Sequence, residues 1–122
     1  MAWTSDQLDR IGQAEELQIN TYRRDGSLRR WTPIWVVRVG DELYIRSAFG
    51  AEGGWYRNAM RQHRARIRAG DVETDVSLQL ANDATTIADV SSAYRSKYHD
   101  QPDSLRPMVA PTAAETTVRL DQ

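Results

Sequence analysis

Three short runs of alternating hydrophobicity are each folded back at a two-residue turn signal, and this feature constrains the fold more than any other. The dipeptides are Asp25-Gly26, Gly40-Asp41 and Gly70-Asp71. Such pairs are typical of tight hairpin turns, because glycine adopts a positive φ without a steric penalty. Three hairpins this close together in sequence predict an antiparallel sheet.

The remaining segments predict helices and one more strand. Thr4 and Ser5 cap an amphipathic first helix, a short helix opens at Gly53-Gly54, and a longer one begins at Asn82 or Asp83. The proline-containing segment 101–111 predicts an extended connection, and the last residues predict a strand. At 122 residues, the chain is expected to form one domain, residues 1–122. The expected fold class is mainly β with helices (α+β), a small six-stranded barrel with about three helices.

The central strand is apolar on both faces, which is unusual for an antiparallel sheet with one solvated side. Trp35, Val37 and Val39 point one way. Ile34 and Val36 point the other way. One face is expected to line the barrel. The other needs a second cover, which is either a helix of the same chain or a second copy of it.

Positive charge is concentrated in the middle of the chain. Residues 23–68 carry eleven of the fifteen arginines against four acidic residues, although the whole chain has a net charge of −1. Arg30 and Arg46 lie near the ends of neighbouring predicted strands, and Arg57 lies in the first turns of the next helix. If they converge, they would bind an anion beside a helix N-terminus. The alternative is that they form salt bridges or are solvated.

Most catalytic and binding motifs are absent from the sequence. There is no cysteine, the two histidines are 36 residues apart, and no phosphate-binding glycine loop or nucleophilic serine motif occurs. We therefore expect no metal site, and any chemistry would come largely from a cofactor. The arginines alternate with buried-looking β-branched residues, which argues against nucleic-acid binding. No apolar run reaches the roughly 20 residues of a membrane span, and no secretory signal is recognisable, which fits a cytoplasmic protein.

One stretch resembles a known superfamily. Residues 26–58 contain an R-x-x-P-I entry into a strand (Arg30, Pro33), the Gly40-Asp41 turn, an S-x-x-G element (Ser47, Gly50) and a W-Y-x-N helix (Trp55, Tyr56, Asn58). These elements are similar to those of the flavin-binding split β-barrel superfamily. Across nearly its whole length, the chain resembles a small uncharacterised family (a domain of unknown function) related to the deazaflavin-dependent nitroreductases. Where the nitroreductases have a lysine- or serine-rich phosphate element, this chain has Arg23-Arg24-Asp25-Gly26.

The resemblance implies a fold, a ligand and a set of site residues. The fold would be a six-stranded split β-barrel like that of flavin reductases and pyridoxamine-phosphate oxidases, usually a homodimer, and the ligand would be FMN or the deazaflavin coenzyme F-420. The cofactor-binding residues would be Arg30, Pro33, Ile34, Trp35, Arg46, Ser47, Gly50 and Trp55. Of these, Arg30, Arg46 and Ser47 would hold the phosphate tail, and Tyr94 and Tyr98 would lie on the substrate side.

Two functions are compatible with the predicted fold and ligand. The first is an oxidoreductase that transfers hydride between the bound ring and a small organic acceptor. The second is a non-catalytic module of the same fold that binds a flavin or another small ligand. The sequence does not choose between them, because a hydride transferase needs no diagnostic acid–base motif, and no catalytic residue is identified.

Overall fold

Within residues 3–122, seven antiparallel strands form one sheet that curls into a nearly closed barrel. The computed structural model describes residues 3–122. The strands are β1 (Leu17–Asn20), β2 (Thr32–Ile34), β3 (Val36–Val39), β4 (Glu42–Ile45), β5 (Arg64–Ala69), β6 (Val72–Leu80) and β7 (Val118–Asp121). The helices are α1 (Ser5–Gly12), α2 (Gly54–Gln62), α3 (Ala84–Lys97), α4 (Pro102–Met108) and α5 (Pro111–Ala114), with a short 3-10 helix at Gly50–Glu52.

The predicted hairpin turns are confirmed. Gly40, Gly70 and Asp71 have φ values of 61°, 52° and 68°, and they join β3 to β4 and β5 to β6. The third turn, at Asp25-Gly26, closes a looser hairpin in which a single bridge links Tyr22 and Leu28. Local turn chemistry therefore sets the register of the sheet at the two tight turns, Gly40-Asp41 and Gly70-Asp71.

The two free edges of the sheet are consecutive in sequence. The strand order is β2-β1-β5-β6-β7-β4-β3, so β2 and β3 lie at opposite ends and only Trp35 separates them along the chain. Where one continuous strand was expected, the chain leaves one edge of the barrel and joins the other, which gives seven strands instead of six. Pro33 lies in β2, an edge strand that tolerates its missing N–H.

Alternation along residues 34–39 divides the side chains of β3 and of the end of β2 between two apolar cores, as predicted. Ile34 and Val36 pack into the barrel interior. Val37 packs on the outside with Val90 and Tyr94 of α3. Of the two covers expected for the outer face, the structure shows the helix.

The structure corrects the expectation of an extended connection over residues 101–111. This segment forms α4 and α5, and each begins with a proline, Pro102 or Pro111, at its first helical position. Proline is well tolerated there because the first amides of a helix have no intrahelical acceptor. Two of the three prolines therefore mark helix starts, whereas Pro107 lies inside α4. Residues 3–122 form five α-helices where about three were expected.

Candidate functional site

Two adjoining cavities lie beside the place where the two free edges of the barrel, β2 and β3, are joined through Trp35. The first, the apolar cavity, has a volume of about 340 Å³. Its walls include Pro33, Ile34, Trp35, Phe49, Trp55 and Met108. Apolar and aromatic walls of this kind, enclosing several hundred Å³, are typical of sites for small ligands.

The second cavity, the arginine cavity, has a volume of about 350 Å³ and a polar lining. Arg23, Arg29 and Arg30 line it. Thr32 and Trp55 line both cavities. The two cavities therefore adjoin at these residues, and we refer to the pair as the groove, which is apolar at one end and cationic at the other.

The three arginines of this cavity form no ion pair with any carboxylate of residues 3–122. Arg23 donates to the backbone oxygen of Leu28 at 2.6 Å, and Arg29 donates to that of Tyr22. By contrast, six arginines elsewhere pair with acidic side chains: Arg10, Arg38, Arg64, Arg66, Arg106 and Arg119. Asp25 interacts electrostatically with Arg23 without a direct ion pair, so positive charge remains in excess here and makes the cavity suitable for an anion.

The N-terminus of α2 adds backbone donors to the arginine cavity. Gly54, Trp55 and Asn58 of this nine-residue helix line the cavity. The N-cap is Gly53, and no side chain of the described chain caps the helix. The first amides of a helix and its dipole favour negative charge, so they act in the same direction as the arginines.

Trp35 forms one wall of the apolar cavity, and its position is fixed by contacts with Tyr94 of α3 and with Tyr98, which follows α3. Its indole stacks on Tyr98 with ring centroids 3.7 Å apart, and Tyr94 Oη donates to its backbone oxygen at 3.1 Å. Tyr94 and Tyr98 were expected on the substrate side, but they are 0% and 2% exposed and line neither cavity. Burial raises the pKa of both hydroxyls, which act as core hydrogen-bond donors.

Arg46 lies beneath the apolar cavity rather than in the arginine cavity. It is 1% exposed and makes four hydrogen bonds within the protein. Burial lowers the pKa of its guanidinium. Arg57, expected to converge with Arg30 and Arg46, is exposed and lines neither cavity. The three arginines therefore do not meet.

Ser47 and Gly50 support the loop between β4 and α2. Ser47 Oγ is buried and has no hydrogen-bond partner within residues 3–122, and a Cβ at Gly53 would overlap it. Gly50 has a φ of 67° and packs against the backbone of Thr112. Neither residue lines either cavity, and their expected part in cofactor binding stays a prediction.

A family model described as "Uncharacterized protein conserved in bacteria (DUF2255)" matches residues 7–120. The chain belongs to this family. The expected relationship to a small family of unknown function is thereby confirmed. No curated protein matches the sequence.

Solved structures share the fold at low sequence identity. An F420-H2 dependent reductase (FDR-A) is 12% identical with a TM-score of 0.62, over 88% of this chain and 94% of that one. An FAD-binding protein from Mesorhizobium loti is 14% identical with a TM-score of 0.61, over 98% and 90%. A chain described as a domain-swapped dimer is 13% identical with a TM-score of 0.63, over 88% and 80%. These likenesses concern the fold, and the expected α+β split β-barrel is confirmed.

The structure brings together most residues expected at the site. Pro33, Ile34, Trp35, Arg46 and Trp55 all line the apolar cavity. Arg30 and Trp55 line the arginine cavity. How these residues take part in binding stays a prediction.

Sequence reasoning missed several residues of the two cavities. These are Arg23, Arg29, Asn58, Phe49 and Met108. One signal was present for the arginines: Arg-Arg pairs stand on both sides of the Asp25-Gly26 turn, and a hairpin places its two flanks side by side. Met108 was missed because it lies in the segment expected to be extended.

Among residues 3–122, no helix is both long and apolar enough to cross a membrane. The same residues contain no group of three or more histidine or acidic side chains arranged to hold a metal ion.

Proposed function

We propose that the chain binds a flavin-type cofactor, FMN or the deazaflavin coenzyme F-420, across the two cavities and passes hydride to a small organic acceptor. The observation that carries the proposal is the groove itself, in which Thr32 and Trp55 border both cavities. Both cofactors combine a flat conjugated ring with an anionic tail. The groove has an apolar and a cationic end in the same arrangement.

The residues of the apolar cavity fit a flat ring. Pro33 and Ile34 offer aliphatic surface, and Trp35 and Trp55 offer aromatic surface. The stack of Trp35 on Tyr98 fixes the position of the indole, so little side-chain entropy is lost when a ligand packs against it. Arg46 lies at the same cavity and presents positive charge to it.

The residues of the arginine cavity fit a phosphate. Arg30 has no hydrogen-bond or ion-pair partner within residues 3–122, so its guanidinium is available to a ligand. Arg23 and Arg29 are anchored to backbone oxygens, which fixes their charge near the uncapped end of α2. Three guanidinium groups and a helix N-terminus form a strong anion site without a metal ion.

The bound ring would supply the redox chemistry: the reduced form gives the acceptor two electrons and one proton as hydride, and solvent provides a second proton. The protein holds the ring against Trp35 and Trp55 and excludes water from one side of it. Phe49 and Gln101 lie at the same cavity and could contact an acceptor. The side chains lining the apolar cavity include no carboxylate or histidine within residues 3–122, so none of them is assigned as a general acid.

We further propose that the protein is a homodimer. Phe49 is 84% exposed at the apolar cavity, where a second copy would cover it. Similarity to a domain-swapped dimer supports the same assembly. Light scattering during size-exclusion chromatography is expected to give twice the mass of the 13.9 kDa chain. A monomer at all concentrations would remove the dimer from the proposal.

Titration with FMN and, separately, with coenzyme F-420 tests the proposed cofactor. We expect saturable binding of one of them, seen both in ring fluorescence and as the increase in thermal stability that linkage requires. Riboflavin, which lacks the phosphate, is the matched control and is expected to bind more weakly than FMN. Turnover of the reduced cofactor with quinones or nitroaromatic compounds would establish the oxidoreductase. Binding without turnover would favour the non-catalytic module, and no binding of either cofactor would overturn the proposal.

A further inference from the structure

We infer that the ligand in the apolar cavity carries a negative charge on the edge that faces Arg46, and that Arg46 is the counter-charge that selects it. The inference builds on the proposed function only in placing a planar ligand in this cavity. It concerns the apolar cavity, which is proposed to hold the ring. Arg23, Arg29 and Arg30, which are proposed to hold the phosphate tail, line the other cavity.

The first observation is that Arg46 is a buried cation with only neutral hydrogen-bond partners. Its side chain is 1% exposed. Its acceptors are Thr117 Oγ1 at 2.9 Å, Ser91 Oγ at 3.0 Å, the Met108 oxygen at 3.1 Å and the Ile87 oxygen at 2.9 Å. These bonds position the guanidinium, but they contribute no negative charge.

The second observation is that no charged group of the described chain compensates Arg46. The Tyr94 ring lies 5.5 Å from its Cζ, and burial keeps the hydroxyl of that tyrosine protonated by raising its pKa. The other ionisable side chain that acts on Arg46 is Arg95, which repels it. Burying a charge without a counter-charge is unfavourable. The free energy of burying Arg46 would therefore be partly offset by an anion of the ligand.

The third observation is that Arg46 borders the apolar cavity, where a ligand anion could reach it. Arg46 lines the apolar cavity, where it is the sole ionisable side chain within residues 3–122. A guanidinium has five N–H groups, and four of those of Arg46 are used. The remaining N–H, on Nη2, has no acceptor in the described part of the chain. An oxyanion in the cavity would satisfy both this donor and the charge.

The expected ligand is therefore a planar conjugated monoanion, such as a phenolate, an enolate or an aromatic carboxylate. This chemistry has two possible sources, an ionised edge of the cofactor ring or an acceptor molecule that is itself an anion. Both place the same oxyanion against Arg46. They differ in whether the anion and the cofactor compete for the cavity.

The test uses 7-hydroxycoumarin, a small fluorescent phenol whose two ionisation states have distinct spectra. Binding to the wild-type protein is expected to lower the apparent pKa of the phenol by at least one unit, which corresponds to at least tenfold tighter binding of the phenolate. The neutral control is 7-methoxycoumarin, which has nearly the same shape and is expected to bind more weakly than the phenolate. Equal binding of phenol and phenolate would overturn the inference, as would no binding of the hydroxycoumarin at a pH where it is ionised.

A variant then assigns the effect to Arg46. Arg46→Gln is expected to abolish the shift in the phenol pKa while 7-methoxycoumarin still binds; a persisting shift would overturn the role of Arg46. Because the variant also loses hydrogen bonds that hold the fold, the wild-type comparison decides the matter if the variant does not fold.

Competition between the phenolate and the bound cofactor identifies the source of the charge. Displacement of the phenolate by FMN or F-420 would assign the anion to the cofactor ring, and simultaneous binding would assign it to the acceptor. A cofactor that binds tightly to a protein showing no preference for the phenolate would remove this inference and leave the proposed function standing.

Discussion

The Trp35 indole and the Tyr98 ring lie parallel, with 1° between their planes and 3.7 Å between their centroids. Trp35 is also the residue at which the chain passes from β2 to β3, the two free edges of the barrel. Together with the hydrogen bond from Tyr94, this aromatic contact links the residue between the two barrel edges to α3 and to Tyr98, which follows it, and it fixes a wall of the apolar cavity.

Replacing Trp35 by alanine is expected to lower both stability and cofactor affinity. The change removes the stack and the packing of a half-buried indole, for which we expect roughly 2–4 kcal/mol of lost unfolding free energy. Trp35→Phe keeps an aromatic ring against Tyr98 and is expected to lose less than half as much. Urea denaturation of wild type and the two variants measures their unfolding free energies. Equal losses of unfolding free energy in the two variants would show that the stack contributes little.

Replacing Arg30 by glutamine is expected to weaken FMN binding about tenfold, or about 1.4 kcal/mol, because a charge-assisted bond to the phosphate is lost. Riboflavin affinity should not change, since that ligand has no phosphate. Arg61→Gln removes an exposed arginine of α2 that lines neither cavity, and it serves as the matched control. Isothermal titration of each variant with both ligands gives the comparison. A similar loss of affinity for riboflavin would show that Arg30 does not bind the phosphate.

Gly53→Ala is expected to destabilise the protein by about 1–3 kcal/mol, because the new methyl group would overlap the buried Ser47 Oγ. Gly53 has a φ of −60°, which alanine adopts without strain, so the cost comes from this overlap. Ser47→Ala alone should be neutral or slightly stabilising, since it removes a buried hydroxyl that lacks a partner. In the double variant the nearest neighbour of the new methyl group is the Gly50 oxygen at 3.4 Å, an ordinary contact, so most of the stability should return. Additive losses in this double-mutant cycle would contradict the explanation.

Lys97 is expected to make stability rise with pH above about 8. Its Nζ donates to the Val36 oxygen at 2.6 Å, and burial lowers its pKa from 10.5 to about 8. Below pH 8 the ammonium is present in both states, and folding bears the full cost of burying it. Between pH 8 and 10.5 the unfolded chain binds more protons than the folded protein, so the unfolding free energy increases with pH.

Lys97→Met tests this contribution by keeping the apolar stem and removing the charge. The variant is expected to be more stable than wild type at pH 7, by roughly 1–2 kcal/mol after allowing for partial exposure of the side chain. The difference should shrink towards pH 10. Tyrosines whose pKa values are raised in the folded protein, such as Tyr44, lower the stability of both proteins above pH 10 and cancel in the comparison. A difference that does not depend on pH would exclude Lys97 as its cause.

Local chemistry was sufficient to predict the turns, the strand class and the sorting of side chains along β3. Gly40 and Gly70 adopt the positive φ that their turn positions require. Val36 and Val37 face different cores, as alternation demands. These features depend on neighbours a few residues apart, which a single sequence contains.

Features that depend on distant contacts were not predictable in the same way. The break at Trp35 lies inside a continuous apolar run, and only the closure of the barrel requires the chain to change edges there. The sequence placed Arg46 near the end of a strand but did not identify its acceptors, such as Thr117, which is 71 residues away. The acceptors, more than the position along the strand, determine whether an arginine is available to a ligand.

The position of β7 governs how the chain can assemble as it leaves the ribosome. This strand lies between β6 and β4, and Leu120 is paired with both Leu78 and Leu43. Until residue 121 is available, β3 and β4 form a hairpin that is not paired with the other four strands, and the edges of β4 and β6 that pair with β7 stay open. Such long-range pairing is slow and exposes aggregation-prone surface, so a nascent chain halted before Val118 would be an expected client for chaperones.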